Sequence, residues 1–212
     1  MNAYDSIIWD FNGTILDDVG ISVRCANTLL SAHGMKALDS VEQYRSLFGF
    51  PIIDYYRRMG FDFDRLPYDK LAPEWMGYYL EYSKDAKLYG DIPSVLESIK
   101  EKGIPQWILS ASEKNMLEKQ LRTFGIEAYF DGVLGLDNIH AHSKQEIGLA
   151  WREVHPKARV LMIGDTSHDA QVANVMGADC ILLTCGHQNR ATLESCRCLF
   201  VADCATEILS VL

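Results

Sequence analysis

Short apolar runs alternate with amphipathic stretches along most of this chain, and each run stops at a small or polar residue. Ile7-Ile8-Trp9 ends at Asp10, Trp107-Ile108-Leu109 at Ser110, and Val160-Leu161-Met162-Ile163 at Gly164-Asp165. Cys180–Leu183 and Leu199–Val201 repeat the pattern, and Asp131–Leu136 does so weakly. Runs this short read as buried strands rather than buried helices. The stretches between them carry helix signals. Pro93–Lys102 is amphipathic and closed by Gly103, and a helix capped by Ser112 reaches Phe124 before Gly125. Ser143-Lys144-Gln145-Glu146 has capping-box form and opens a helix to about Val154; another runs from about Ser167 to Gly177, and Thr206–Leu212 closes the chain. Repeated strand–helix units predict an α/β fold whose parallel sheet is covered by helices on both faces. Ligands of such sheets bind beyond the carboxyl ends of the strands, where Asp10, Ser110 and Asp165 are placed.

Residues 17–86 interrupt that pattern after the first strand. Val19, Val23, Ala26 and Leu30 recur at helical spacing, Val41–Phe48 reads as a short helix, and Pro51 opens one that ends near Gly60. Pro73 is expected to open a last helix to about Ala86, with Trp75, Tyr78, Tyr79 and Tyr82 on one face. The expected division is therefore a core of residues 1–16 and 87–212 with an inserted helical cap of residues 17–86.

The 212 residues are 48% hydrophobic and carry a formal charge of -9. That balance suits a globular domain and argues against nucleic acid or an anionic membrane surface as partner. No apolar run is long enough for a membrane span, and no basic-then-apolar leader opens the sequence. A cytoplasmic setting is expected, with the six cysteines as reduced structural thiols; Cys196-Arg197-Cys198 lacks zinc spacing.

The chemistry concentrates in Asp10-Phe11-Asn12-Gly13-Thr14, Ser110, Lys144 and the Asp165/Asp169 pair. Carboxylates, a lysine and small hydroxyls converging on one sheet edge fit a magnesium ion and a phosphoryl group. Several neighbours have plainer readings. Asp17 and Asp18 are expected as hinge or surface carboxylates, the aromatic stripe as cap interior, and Arg45, Arg57 and Arg58 as solvated. His168 and His187 neighbour the site as loop residues, and His140-Ala141-His142 reads as a polar approach to Lys144.

Taken in order, these motifs resemble the haloacid dehalogenase-like hydrolase superfamily, in its phosphoglycolate-phosphatase-like branch with a helical cap. The resemblance covers essentially the whole chain and implies a Rossmann-like core. It implies Asp10 as the nucleophile that forms an aspartyl-phosphate, and Thr14, Ser110 and Ala111 as phosphate contacts. Lys144 would hold both nucleophile and phosphate. Mg²⁺ would be held by Asp10, the backbone carbonyl of Asn12, Asp165 and, through water or more distantly, Asp169. Leu88-Tyr89-Gly90-Asp91-Ile92-Pro93 resembles the return from cap to core, and Cys185-Gly186-His187 the loop after the next strand. The implied substrate is a small phosphorylated metabolite and the assembly a monomer or homodimer.

Asn12 departs from the pattern, because such phosphatases usually carry an acid–base Asp two residues after the nucleophile. An amide cannot exchange a proton near neutral pH, and such assistance is typically worth about 10²–10⁴-fold in rate. The competing expectation is therefore a nearly inactive phosphate-binding protein. A dehalogenase needs no metal and would leave Asp165 and Asp169 unexplained. The phosphonate-cleaving relatives use a cap lysine that is absent from Phe50-Pro51-Ile52-Ile53-Asp54.

Overall fold

The computed structural model describes residues 2–136 and 143–212; His140-Ala141-His142 lies outside them. Strand β1 (Ser6–Trp9) is followed by a two-residue strand β2 (Leu16–Asp17) and helices α1 (Val19–Ala32), α2 (Val41–Leu47), α3 (Ile52–Arg58) and α4 (Tyr68–Tyr82). The chain returns through β3 (Lys87–Leu88) to α5 (Ile92–Glu101), β4 (Gln106–Glu113), α6 (Lys114–Phe124) and β5 (Gly132–Leu136). Then follow α7 (Lys144–Val154), β6 (Val160–Gly164), α8 (Ser167–Met176), β7 (Asp179–Leu183), α9 (Arg190–Glu194) and β8 (Phe200–Ala202). The chain closes in a 3₁₀ turn over Ala205–Val211, where the sequence suggested an α-helix.

The α/β class expected from the alternation is observed. Six strands pair in the order β5-β4-β1-β6-β7-β8, all in parallel. Successive residues of a strand face opposite sides of a sheet, and the two cores divide accordingly. Ile7, Trp9, Leu161, Ile163, Ile181 and Leu183 pack with α5 and α6 on one side. Ile8, Met162, Cys180 and Leu182 pack with α7 and α8 on the other. β1 therefore runs through the middle of the molecule, and its C-terminal tip is flanked by those of β4 and β6.

Residues of α1–α4 have a third apolar cluster of their own, built on Leu29, Leu30, Tyr44, Tyr55, Tyr56 and Leu71. Where the chain leaves the sheet and where it returns, Leu16 pairs antiparallel with Leu88 and Asp17 with Lys87. This small ribbon carried no sequence signal.

Two further local expectations change. α4 begins at Tyr68, five residues before the expected start, with Pro73 inside it. A proline removes one helical N–H, but fully buried Leu71 and the Tyr68 ring against Tyr56 at 5.5 Å anchor the turn ahead of it. β4 runs past Leu109 to Glu113 with an irregular register, so Glu113 rather than Ser112 caps α6, accepting from the Asn115 N–H at 3.3 Å. α9, capped by the Asn189 side chain, is an addition that no periodicity announced. No helix among the described residues is long and apolar enough to cross a membrane.

Candidate active site

Asp10 leaves the tip of β1, Asp165 follows β6, and Asp169 belongs to the first turn of α8. Ligand atoms of the three carboxylates lie within 4.8 Å of one another. Lys144, the first residue of α7, inserts its ammonium between two of them: Nζ donates to Asp10 Oδ1 at 2.6 Å and to Asp169 Oδ1 at 2.5 Å. α7 can deliver a lysine here because its capping box, Ser143 with Glu146, satisfies the helix end and fixes where the first turn starts.

Asp169 has two duties. Its Oδ2 accepts from the backbone N–H groups of Asp165 and Thr166 and from the Thr166 hydroxyl, closing the capping box of α8, while Oδ1 holds Lys144. Asp165 is clamped as firmly. Thr14 Oγ1 donates to its Oδ1 at 2.9 Å and the His187 backbone N–H to its Oδ2 at 2.7 Å. The Thr14 hydroxyl thus serves Asp165 directly. Gly13 and Gly186 lie so close to this carboxylate that a methyl group at either would overlap it, and Gly13 also needs φ +73°.

Burial sets the charge balance. It pushes Asp10 up to about 8 against the pull of Lys144, with Asp169 and Asp165 adding to the rise. It pushes Asp165 up to about 6, opposed by His187. Asp169 moves the other way, because Lys144 and Thr166 outweigh its burial. Burial also opposes the Lys144 charge, but Asp10 and Asp169 prevail and its ammonium is reinforced. With all three carboxyl groups ionised, the single ammonium leaves two negative charges unbalanced, which on top of burial is why Asp10 and Asp165 hold their protons more tightly without a cation. An all-oxygen donor set with that deficit fits a small divalent cation such as Mg²⁺.

A second network surrounds Asn12. Its amide donates to Asp18 Oδ2 at 2.9 Å and to the Tyr79 hydroxyl oxygen at 2.6 Å, and its Oδ1 accepts from Ser112 Oγ at 3.0 Å. Tyr79 donates to the same Asp18 oxygen at 2.7 Å, and the Gly13 N–H donates to Asp18 Oδ1 at 2.9 Å. His187 Nε2 meets Asp18 Oδ1 at 3.2 Å, and Nδ1 meets the Tyr44 hydroxyl at 2.8 Å. Burial works against the imidazolium, yet Asp18 outweighs it and lifts His187 to about 9. Burial likewise opposes the Asp18 charge, but His187, Tyr79 and Asn12 together lower its pKa. The pair is therefore a buried imidazolium–carboxylate.

Asp18 is the main correction to the sequence reading. It is 1% exposed and central, whereas Asp17 points to solvent as expected. Nothing in Asp17-Asp18 separates the two; the direction in which α1 leaves the ribbon does. Tyr79 and Trp75 were expected inside the cap, but both line the cavity above Asp10. Their spacing marked one helical face without telling whether that face meets core or cavity. Arg45 is not solvated, since its guanidinium donates to the carbonyls of Cys185 and Gly186 and ties α2 to the loop after β7. Ser110, Ala111, Asn12, Lys144, Asp165 and Asp169 all line the same cavity, together with His168 and His187.

The haloacid dehalogenase-like hydrolase family model matches residues 7–183. A phosphoglycolate phosphatase of Vibrio parahaemolyticus is 25% identical over 216 residues, covering 97% of this chain and 94% of that protein. A Caldanaerobacter subterraneus protein provisionally named a pyrophosphatase is 24% identical over 178 residues, covering 81% and 78%. Among solved structures, a haloacid dehalogenase-like family hydrolase from Streptococcus pneumoniae superposes with a TM-score of 0.82 at 21% identity, covering 99% of both chains. With its parallel sheet, its helical segment after β1 and its carboxylates at the strand tips, this chain belongs to the haloacid dehalogenase-like hydrolases.

Proposed function

We propose that this protein is a magnesium-dependent phosphatase of a small phosphorylated metabolite, with Asp10 as nucleophile. The observation that carries the reading is Lys144 Nζ bridging Asp10 and Asp169 while Asp165 stands within 4.8 Å. An Asp10 oxygen attacks phosphorus, the ester P–O bond breaks, and water then cleaves the aspartyl-phosphate to release phosphate. Lys144 keeps Asp10 oriented and offsets charge on the phosphoryl oxygens, while Ser110 and the Ala111 backbone contact those oxygens from the irregular end of β4. Asp10, Asp165, the Asn12 carbonyl and, more distantly, Asp169 would hold the metal, which supplies charge neutralisation at phosphorus when bound. Thr14 keeps Asp165 in place. Residues 17–86 act as the cap over a core of 1–16 and 87–212, screening the reaction from water.

Asn12 offers no proton to the departing oxygen, and Asp18 beside it stays ionised. Leaving groups that depart unprotonated, as in acyl phosphates, suit this site best. The same observation favours a second reading, a phosphate-binding protein with little turnover. Assay of acetyl phosphate and a panel of phosphate esters with magnesium, against Asp10→Asn, separates them. Turnover lost in the variant supports the phosphatase; none in either protein supports the binder.

A further inference from the structure

The cavity above Asp10 encloses about 510 Å³, room for a phosphoryl group and a ring-sized remainder. Its floor is charged, but its walls, Glu113 apart, are mostly apolar. Phe50, Ile52, Trp75, Met76, Leu80 and Met116 line the part away from the carboxylates. Phe50, Met76 and Leu80 are 37%, 44% and 51% exposed, and they account for three of the six large apolar side chains left exposed among the described residues. Apolar surface gathered at a cavity mouth marks a place where something apolar is meant to sit. Trp75 and Tyr79 stack at 5.2 Å with an interplanar angle of 14°, and the Phe50 ring lies 4.6 Å from that of His168.

The charges point the same way. Among the described lining residues the basic side chains are Lys144, His168 and His187. Lys144 is held by Asp10 and Asp169, and His187 by Asp18. The arginines of α2 and α3 are engaged elsewhere: Arg45 with backbone carbonyls beyond β7, Arg57 with Asp54, and Arg58 with the Leu47 carbonyl. Glu113 adds a further carboxylate to the wall. A leaving group bearing its own carboxylate, such as glycolate, would find no basic side chain free of a carboxylate partner among the described lining residues except the His168 ring, and would meet several like charges.

We propose that the phosphate ester taken by this cavity is an aryl ester, whose uncharged ring packs on Trp75, Met76, Leu80 and Met116 and whose phenolate departs with little need of a proton. This rests on the phosphatase reading for the fate of the ester but not for the shape of its occupant. Flat rings against stacked aromatics and thioethers gain contact that a branched aliphatic group does not.

The test uses non-hydrolysable phosphonates on the magnesium-loaded full chain, with affinity read by titration calorimetry. Benzylphosphonate is expected to bind at least about 10-fold tighter than methylphosphonate, since a ring buries several carbons, and tighter still than phosphonoacetate. Leu80→Lys, at an exposed helical position, is expected to shrink the benzylphosphonate-to-phosphonoacetate ratio several-fold. Trp75→Ala is expected to weaken benzylphosphonate and leave methylphosphonate nearly unchanged. Phosphonoacetate binding as tightly as benzylphosphonate, a ring that adds nothing over methyl, a ratio unmoved by Leu80→Lys, or no benzylphosphonate binding at all would each overturn the proposal. Acetyl phosphate turnover, which makes no use of these walls, judges the phosphatase reading separately.

Discussion

The Asn12 amide donates to Asp18 Oδ2 at 2.9 Å. A carboxylate therefore stands beside the position where related phosphatases keep their acid–base aspartate, but it comes from the start of α1 and is already committed to His187. The charge is retained in space while the exchangeable proton is lost, because His187 and Tyr79 hold Asp18 ionised.

Restoring the carboxylic acid tests that arrangement. Asn12→Asp places a second carboxylate against Asp18, and like charges at this distance share a proton, raising one pKa into the neutral range. Turnover of poor-leaving-group esters is expected to rise about 10-fold or more, with acyl phosphate turnover changing much less. Equal or lower ester turnover at unchanged magnesium affinity would mean that another group already serves, with His168 and His187 the first to examine.

Asp10 is expected to be the site of covalent phosphorylation. Incubation with acetyl phosphate followed by peptide mass spectrometry should find the adduct on Asp10, and Asp10→Asn should abolish turnover. An adduct on any other residue would remove Asp10 from its assigned role.

Metal binding should follow the raised carboxyl groups. Asp10 at about 8 and Asp165 at about 6 must lose protons to bind a cation, so magnesium affinity is expected to fall as pH drops from 8 to 5. At 100 times its dissociation constant, magnesium should stabilise the protein by about 2.7 kcal/mol. Asp165→Ala should abolish that gain with the fold intact. Gly186→Ala, whose new methyl would overlap the Asp165 carboxylate, should weaken it strongly. Calorimetric unfolding with magnesium or chelator reads all three, and a melting temperature indifferent to magnesium would sink the site.

The His187–Asp18 pair sets a pH window. His187 is raised from 6.5 to about 9 in the folded state, so its stabilisation is complete below pH 6.5 and disappears as pH climbs through 9. In chelator, the wild type should lose on the order of 2–3 kcal/mol more than His187→Gln between pH 6.5 and 9.5. Parallel stability curves from denaturant titrations would show that His187 is neutral throughout.

The sequence by itself determined the layers. Apolar runs of three or four residues such as Ile7–Trp9 and Val160–Ile163 read as strands buried from both faces, and the helices between them favour parallel pairing. It also placed Asp10, Ser110 and Asp165 at the ends of apolar strand runs and Lys144 and Asp169 at helix starts, because strand ends and helix caps are local and legible. Only the tertiary structure decided which residues complete the site. Asp18, Tyr79 and His187 come from three segments whose neighbours look alike in sequence, and their roles depend on how α1 and α4 lie against the sheet edge. The same packing turned Thr14 toward Asp165 and left Met76 and Leu80 facing a cavity. A helical repeat fixes that residues share a face, but what the face meets is settled by burial and charge balance across the whole fold.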